Sequence, residues 1–316
     1  MYHYIVTAPG QGVQRPGMLD PWLDAVPGAP GLVDDWSRAA GFDLIEAGRN
    51  AELLADTAYA QPLIVATALL SYELLRDRMP LAGGEVLFAG HSVGELAAAS
   101  AAGYLGAGDA VALARVRGAA MSAACAAAPT AMAAVMPTRR DPATDEEIVA
   151  AVEAAGLTAA NWNGSHQFVA AGPAERIAAL VEAPPPGVRV ARLAVAGAFH
   201  TAAMAPAVVE FARAVGEVRF TEPSSPLLGN ADGAVVNSPD ELRRRLITQI
   251  TAPVRWDRCA RTIATLAPDA PQIELAPAGP LTRLLQRDRP AAHTVALSTP
   301  QELGHITGAP QPAGAR

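Results

Sequence analysis

Five consecutive residues, Gly90-His91-Ser92-Val93-Gly94, restrict this chain more than any other stretch. The run Glu85-Val86-Leu87-Phe88-Ala89 leads into them and the helix-forming run Glu95-Leu96-Ala97-Ala98-Ala99 leaves them. A strand therefore has to turn sharply into a helix with Ser92 at the apex, which is a nucleophile elbow. Such a turn holds its apex in a strained backbone conformation, and glycines two before and two after remove the Cβ atoms that would collide. The serine hydroxyl is then exposed at the edge of a sheet. The N–H of Val93, first in the new helix, points to where an acyl oxygen would carry negative charge, and the helix dipole adds to that stabilisation. A serine in an ordinary glycine turn shares the same letters; the strand before and the helix after separate the two.

Composition closes several competing chemistries. The 316 residues, 51% of them hydrophobic, suffice for one large domain or for a large domain carrying a smaller insert. All 24 positive residues are arginine, so the absence of lysine excludes Schiff-base chemistry, pyridoxal-phosphate attachment and a P-loop lysine. The formal net charge of −7 and the lack of a long basic tract exclude nucleic acid as a partner. Cys125 and Cys259 stand apart, with no metal-ligand spacing, which predicts two core thiols, no metal site and a reducing cytoplasm. The start, Met1-Tyr2-His3-Tyr4-Ile5-Val6, reads as a strand rather than an export signal. The longest uncharged stretch, Gly118 to Thr138, is alanine-rich and broken by Pro129 and Pro137, so no membrane association is expected.

Strands and helices alternate in the first part: a strand at Tyr4-Thr7, helices near Leu32-Ala40 and Gln61-Arg78, the elbow, and a helix from Asp109 to Ala124. This is the pattern of an α/β parallel sheet with helices on its faces. After Pro129 the order becomes strand Ala131-Met136, helix Asp141-Ala155, strands Leu157-Asn161 and Gln167-Ala171 joined by Trp162-Asn163-Gly164-Ser165, helix Pro173-Ala183 and strand Val188-Val195. That β-α-β-β-α-β sequence is the ferredoxin-like motif. The expected organisation is a core of residues 1–128 and 196–307, a small subdomain over 129–195 with a cleft at its seams, and a disordered tail over 308–316.

A serine nucleophile requires a base. Of the six histidines, His91 leaves the elbow in another direction, His3 lies at the first strand, His166 in the small-domain hairpin and His305 near the ragged end. His200 and His293 remain. His200 follows the last strand of the insert, where the chain returns to the core beside the cleft, and His293 occupies the late position that an ordinary α/β-hydrolase gives its base.

Pro9-Gly10-Gln11-Gly12-Val13-Gln14, the elbow, Arg117, Gly197-Ala198-Phe199-His200-Thr201, and Gln249 before Pro253-Val254-Arg255-Trp256 form a pattern in register along nearly the whole chain. Their order and spacing resemble the malonyl-CoA:acyl carrier protein transacylases of fatty-acid and polyketide synthesis, most closely the stand-alone actinobacterial type. The resemblance implies an α/β-hydrolase-like core with an inserted ferredoxin-like subdomain, in agreement with the element order. It makes Ser92 the nucleophile and His200 the base, with the acyl oxygen held by the backbone N–H groups of Gln11 and Val93. His293 is then structural, and His200 is oriented by a main-chain carbonyl near Gln249 rather than by a carboxylate.

Arg117 suits the carboxylate of malonyl through two parallel charge-assisted hydrogen bonds. Phe199 is expected to narrow the pocket near the acyl α-carbon, with methylmalonyl as the second choice of substrate. The reaction implied is a ping-pong exchange from malonyl-CoA to the phosphopantetheine thiol of holo acyl carrier protein. No cofactor or metal is called for, and the family is commonly monomeric. Acyl carrier proteins are acidic, so Arg189 and Arg192, or Arg243-Arg244-Arg245, are candidates for a local docking surface. Two alternatives remain: a serine esterase or thioesterase depending on His293 and not needing Arg117, and a non-catalytic carrier-binding subunit, against which the intact set Ser92, Arg117 and His200 argues.

Overall fold

Tyr4-Ile5-Val6-Thr7 and Val86-Leu87-Phe88-Ala89 have no polar face, as strands buried on both sides of a parallel sheet require. The computed structural model describes residues 2–79, 85–164, 166–195 and 197–306, and among them nine strands form two sheets. In chain order they are β1 (Tyr4–Ala8), β2 (Val86–Gly90), β3 (Thr130–Pro137), β4 (Thr158–Gly164), β5 (Gln167–Pro173), β6 (Val188–Arg192), β7 (Leu227–Leu228), β8 (Gln272–Glu274) and β9 (Thr294–Ala296). The first sheet has the order β7-β2-β1-β8-β9 with every pairing parallel. β1 and β2 are buried from end to end. The second sheet has the order β4-β5-β3-β6 with every pairing antiparallel.

Parallel strands point their carboxyl ends the same way, and open parallel sheets bind ligands beyond that edge. Here the loops leaving β1, β2 and β7 carry Gln11, Ser92 and Asn230 respectively. The two sheets are joined by backbone as well as by side chains. Trp162 N–H donates to Val254 O and Val254 N–H to Ala160 O, each at 2.9 Å, so a short segment of the larger part lies along the edge of β4.

The helices Thr57–Arg78 and Ala107–Ala127 are long and apolar enough to cross a membrane by length and composition. They pack against one another, and 83% of the apolar window of the first is buried inside the protein. A helix apolar on all sides fits a core position of this kind.

Several boundaries depart from the sequence expectations. The helix expected from Asp141 begins at Asp145, because Thr144 and Glu147 form a reciprocal capping box that fixes its start. Trp162-Asn163-Gly164 is not a turn but the end of β4, paired with Phe168 and Gln167 across irregularities in the ladder. The strand expected through Val195 stops at Arg192. The helix after the elbow starts at Gly94 with Val93 as its N-cap, one residue later than read. Cys259 is buried as expected, but Cys125 is only half-buried. The 308–316 tail and the junction residues Ser165 and Ala196 lie outside the described residues.

Candidate active site

Ser92 has φ +53°, the left-handed conformation that an elbow apex requires. A Cβ on Gly90 would overlap the Gly94 carbonyl, and one on Gly94 would overlap the Ala8 and Pro9 carbonyls, so neither flank admits a side chain. Asn230 completes the turn. Its Oδ1 accepts the Ser92 N–H at 2.7 Å, and its Nδ2 donates to Gly90 O.

His200 is 2% exposed and also has a positive φ, +62°. Its Nε2 lies 2.7 Å from Ser92 Oγ, and its Nδ1 lies 2.8 Å from the main-chain oxygen of Gln249. Gln249 ends the helix Pro239–Gln249, where carbonyls lack an intrahelical partner, so an acceptor is available for the ring N–H. That bond assigns the proton to Nδ1 and turns the Nε2 lone pair toward the serine. Burial, reinforced by the charge of Arg117, pushes the imidazole pKa down to about 3, so the ring is neutral at neutral pH and able to accept the serine proton.

Arg117, on the helix Ala107–Ala127, is 2% exposed. Its guanidinium donates to Gln61 Oε1 at 2.8 Å, to Gln249 Oε1 at 2.9 Å and to Ser92 Oγ at 3.3 Å. Desolvation lowers its pKa to about 10, which leaves it charged at neutral pH. Behind it, Gln249 Nε2 donates to Glu95 Oε2 and to Asn230 Oδ1 at 3.2 Å, and Glu95 Oε1 accepts the Asn230 N–H at 2.9 Å. Burial raises the Glu95 pKa to about 7.

The loop after β1 lies against the elbow. Gly10 packs so closely on His91 that an added Cβ would lie 2.8 Å from the His91 carbonyl oxygen, which brings the loop after β1 against the elbow. Gln11 is anchored by its side-chain Nε2, which donates to Thr57 Oγ1 at 2.9 Å. Among the described residues, the backbone N–H groups of Gln11 and Val93 have no intramolecular acceptor. Free amides beside a nucleophile suit an oxyanion.

A cleft of about 320 Å³ opens beside this loop, between the two sheets. Gly10, Gln11 and His91 line it from one side, Asn161, Asn163 and Gln167 from the antiparallel sheet, and Arg283 and Arg287 from the helix Pro280–Asp288. His91 takes no part at the serine hydroxyl. Its Nε2 lies 3.0 Å from Asn163 Oδ1, which ties the elbow to β4. Phe199 is buried, and Cys125 Sγ and the Phe199 ring both lie against Gly197.

His293 precedes β9, at the amino edge of the parallel sheet, while Ser92 follows the carboxyl end of β2. It is exposed and at the opposite edge from Ser92. Arg189 and Arg192 are exposed on the edge strand β6. Arg243 and Arg245 do not form the basic surface considered from sequence. Arg243 donates to the Val215 and Val218 carbonyls and lies over the Phe220 ring, and Arg245 pairs with Asp232 and Glu241, which leaves Arg244 as the exposed member.

Sequence reasoning passed over Gln61, Glu95 and Asn230. For the first two the signal was present, since each is a lone polar residue in an otherwise apolar helical run. The third follows a two-residue strand that no periodicity could reveal. Among the described residues there is no cluster of His, Cys, Asp and Glu able to hold a metal.

The family model described as acyl transferase domain matches residues 5–287. The malonyl CoA-acyl carrier protein transacylase of Mycobacterium tuberculosis is 44% identical over 301 residues, 95% of this chain and 97% of that protein. The crystal structure of MCAT from the same organism superposes with a TM-score of 0.90 at 42% identity, covering 96% of this chain and 99% of that one. A malonyl-transacylase solved in complex with a holo type II PKS acyl-carrier protein superposes at 0.86 with 27% identity, over 95% of this chain and 97% of that one.

Proposed function

We infer that this chain, which belongs to the acyl transferase domain family and within it to the malonyl CoA-acyl carrier protein transacylases, moves a malonyl group from malonyl-CoA to the phosphopantetheine thiol of holo acyl carrier protein. One observation carries the reading of the site: Ser92 Oγ lies 2.7 Å from a neutral imidazole and 3.3 Å from a buried guanidinium. A base explains the nucleophile, and the guanidinium explains why the acyl group should end in a carboxylate.

In this mechanism His200 Nε2 takes the Ser92 proton as Oγ attacks the thioester carbonyl. The N–H groups of Gln11 and Val93 hold the resulting oxyanion at the start of the helix Gly94–Ala101. Collapse expels CoA, whose sulfur takes the proton back from Nε2, and malonyl-Ser92 remains. The carrier thiol then gives its proton to His200 and attacks the ester, and Ser92 Oγ recovers the proton as it leaves. The Gln249 carbonyl, at the negative end of its helix, stabilises the imidazolium between steps, the task a triad carboxylate performs elsewhere.

Arg117 binds the malonyl carboxylate. A neutral acetyl group would leave the buried guanidinium without a counter-charge, which disfavours it by roughly 2–5 kcal/mol. Phe199 limits room at the α-carbon and places methylmalonyl second. The cleft between the sheets admits the pantetheine arm, and Arg189 and Arg192 are the surface offered to an acidic carrier. No metal or organic cofactor enters these steps. Every group in the scheme comes from one chain, which supports a monomer, and the two free cysteines support a reducing cytoplasm. The larger part, residues 1–128 and 196–307, is read as an α/β-hydrolase-like core, and 129–195 as a ferredoxin-like subdomain, a reading supported by the strand order β4-β5-β3-β6 with two interleaved helices.

Intact-protein mass spectrometry after brief mixing with malonyl-CoA, methylmalonyl-CoA or acetyl-CoA tests the proposal on wild type and Ser92→Ala. A malonyl-sized gain on wild type alone, discharged by holo carrier protein, is expected. No adduct from any donor, with steady hydrolysis of simple esters, would replace it with the esterase reading.

A further inference from the structure

Glu95 touches no group that reacts, yet it is 1% exposed, beside the nucleophile, and among the described residues neither of its oxygens is bonded to a cation. Its Oε2 receives the side-chain amide of Gln249, and its Oε1 receives the backbone N–H of Asn230. The Gln249 amide faces two ways. Its nitrogen points at Glu95, Asn230 Oδ1 and Ser92 O, and its oxygen points at Arg117. We propose that Glu95 is a positioning residue for acyl selectivity: it holds the Gln249 amide with its oxygen toward Arg117, and so keeps the guanidinium aimed at the acyl pocket without neutralising it.

The argument is one of donors and acceptors. Ionised, above its pKa of about 7, the Glu95 carboxylate only accepts, so it draws the NH2 end of the amide and leaves the oxygen for Arg117. Rotated by half a turn, the amide would set its NH2 against a guanidinium N–H and its oxygen against the carboxylate, with two buried hydrogen bonds lost together. Gln61 and Gln249 thus grip Arg117 through two neutral oxygens, at 2.8 and 2.9 Å. A carboxylate in direct contact would grip it as well but would cancel the charge that a substrate carboxylate needs. Set one side chain back, Glu95 supplies the orientation and leaves the positive charge for the substrate. Among the described residues, three of the five guanidinium N–H donors are engaged, by Gln61, Gln249 and Ser92, and the others are open to a ligand.

The inference rests on the transacylase reading, and its test separates the two. The ratio of kcat/KM for malonyl-CoA over acetyl-CoA is measured, with holo carrier protein as acceptor, for wild type, E95Q, Q249M and the double variant. Methionine at 249 removes the amide and keeps the main-chain carbonyl that orients His200. E95Q can still accept from Asn230 N–H, but its own NH2 can face the Gln249 nitrogen, so the orientation of the amide is no longer dictated.

The expected result is a fall of about tenfold in the ratio for E95Q and for Q249M, with the double variant no worse than Q249M, since both changes remove one device. A purely structural role would lower both donors alike and leave the ratio in place. A ratio within twofold of wild type in E95Q, or losses that multiply in the double variant, would overturn the inference. If E95Q does not fold, as judged by thermal denaturation, Glu95→Asp, which keeps the charge and shortens the reach, is read by the same criteria. A wild-type enzyme that takes no malonyl at all overturns the functional reading and this inference with it.

Discussion

The parallel and antiparallel sheets divide the work unevenly. β1 and β2 are buried throughout, and the loops at their carboxyl ends hold Gln11 and Ser92 beside Gly10, Gly90 and Gly94, where a side chain would overlap neighbouring backbone. The antiparallel sheet is open on its outer strand, where β6 exposes Arg189, Ala191 and Arg192. It contributes Asn161, Asn163 and Gln167 to the cleft wall and none of the groups around the Ser92 hydroxyl. Strain at Ser92 needs a surrounding that over-determines it, and a strand buried on both faces supplies that. A wall that guides a long, flexible thioester arm needs only polar side chains at the right distance. Changes in the first region should therefore act on chemistry and acyl choice, and changes in the second on substrate affinity.

The largest effect is expected for His200→Ala. Removing a general base in a nucleophile–base pair lowers kcat by about 10³–10⁴-fold, read as the rate of Ser92 malonylation in rapid-quench mass spectrometry. His293→Ala, at the opposite edge of the same sheet, is the control and should leave that rate unchanged. Activity lost in His293→Ala and kept in His200→Ala would break the assignment of chemistry to this edge.

Arg117→Ala comes next. Losing a buried, charge-assisted contact to a carboxylate should lower kcat/KM for malonyl-CoA about 10²–10³-fold. For acetyl-CoA the direction reverses, because the wild-type penalty of an unpaired buried guanidinium disappears. Equal losses on both donors would instead assign Arg117 a structural task and remove acyl choice from the first region.

The elbow was legible from the residues alone, because a strand that turns sharply into a helix restricts the residue types around Ser92; Arg117 and Gln249 stood out only through the resemblance to the transacylases, which also chose His200 over His293. Gly90 and Gly94 are required by a turn that the sequence shows directly, and Ser92 at φ +53° follows from it. Glu95 and Asn230 were not legible as a pair. Their 2.9 Å contact joins residues 135 positions apart, and only the adjacency of β7 and β2 brings them together. The same is true of Gln61, whose partner Arg117 lies on another helix. Boundaries failed for a different reason. Thr144 and Glu147 carry a readable capping box, and its bonds start the helix at Asp145 rather than at the expected Asp141. At Trp162-Asn163-Gly164, turn-forming composition was overridden by pairing with β5 and by Val254 along the outer edge.

Asn163 offers the finest test, because it is one of the places where the two regions touch. Its Oδ1 lies 3.0 Å from His91 Nε2, and it lines the cleft on the antiparallel side. Burial lowers the His91 pKa, so the ring is neutral at neutral pH, and its bond to Asn163 Oδ1 requires the proton on Nε2. Asn163→Ala deletes that acceptor but leaves Ser92, His200 and Arg117 with all their own partners. A water entering the cleft can take over the His91 N–H, which keeps the cost small. The expected result is a rise of about threefold in KM for malonyl-CoA with kcat within twofold of wild type, the signature of lost uniform binding. A fall in kcat of about tenfold or more at unchanged KM would mean that the antiparallel sheet sets the geometry of the elbow through His91. The division between chemistry and access would then fail at this side-chain link between the sheets.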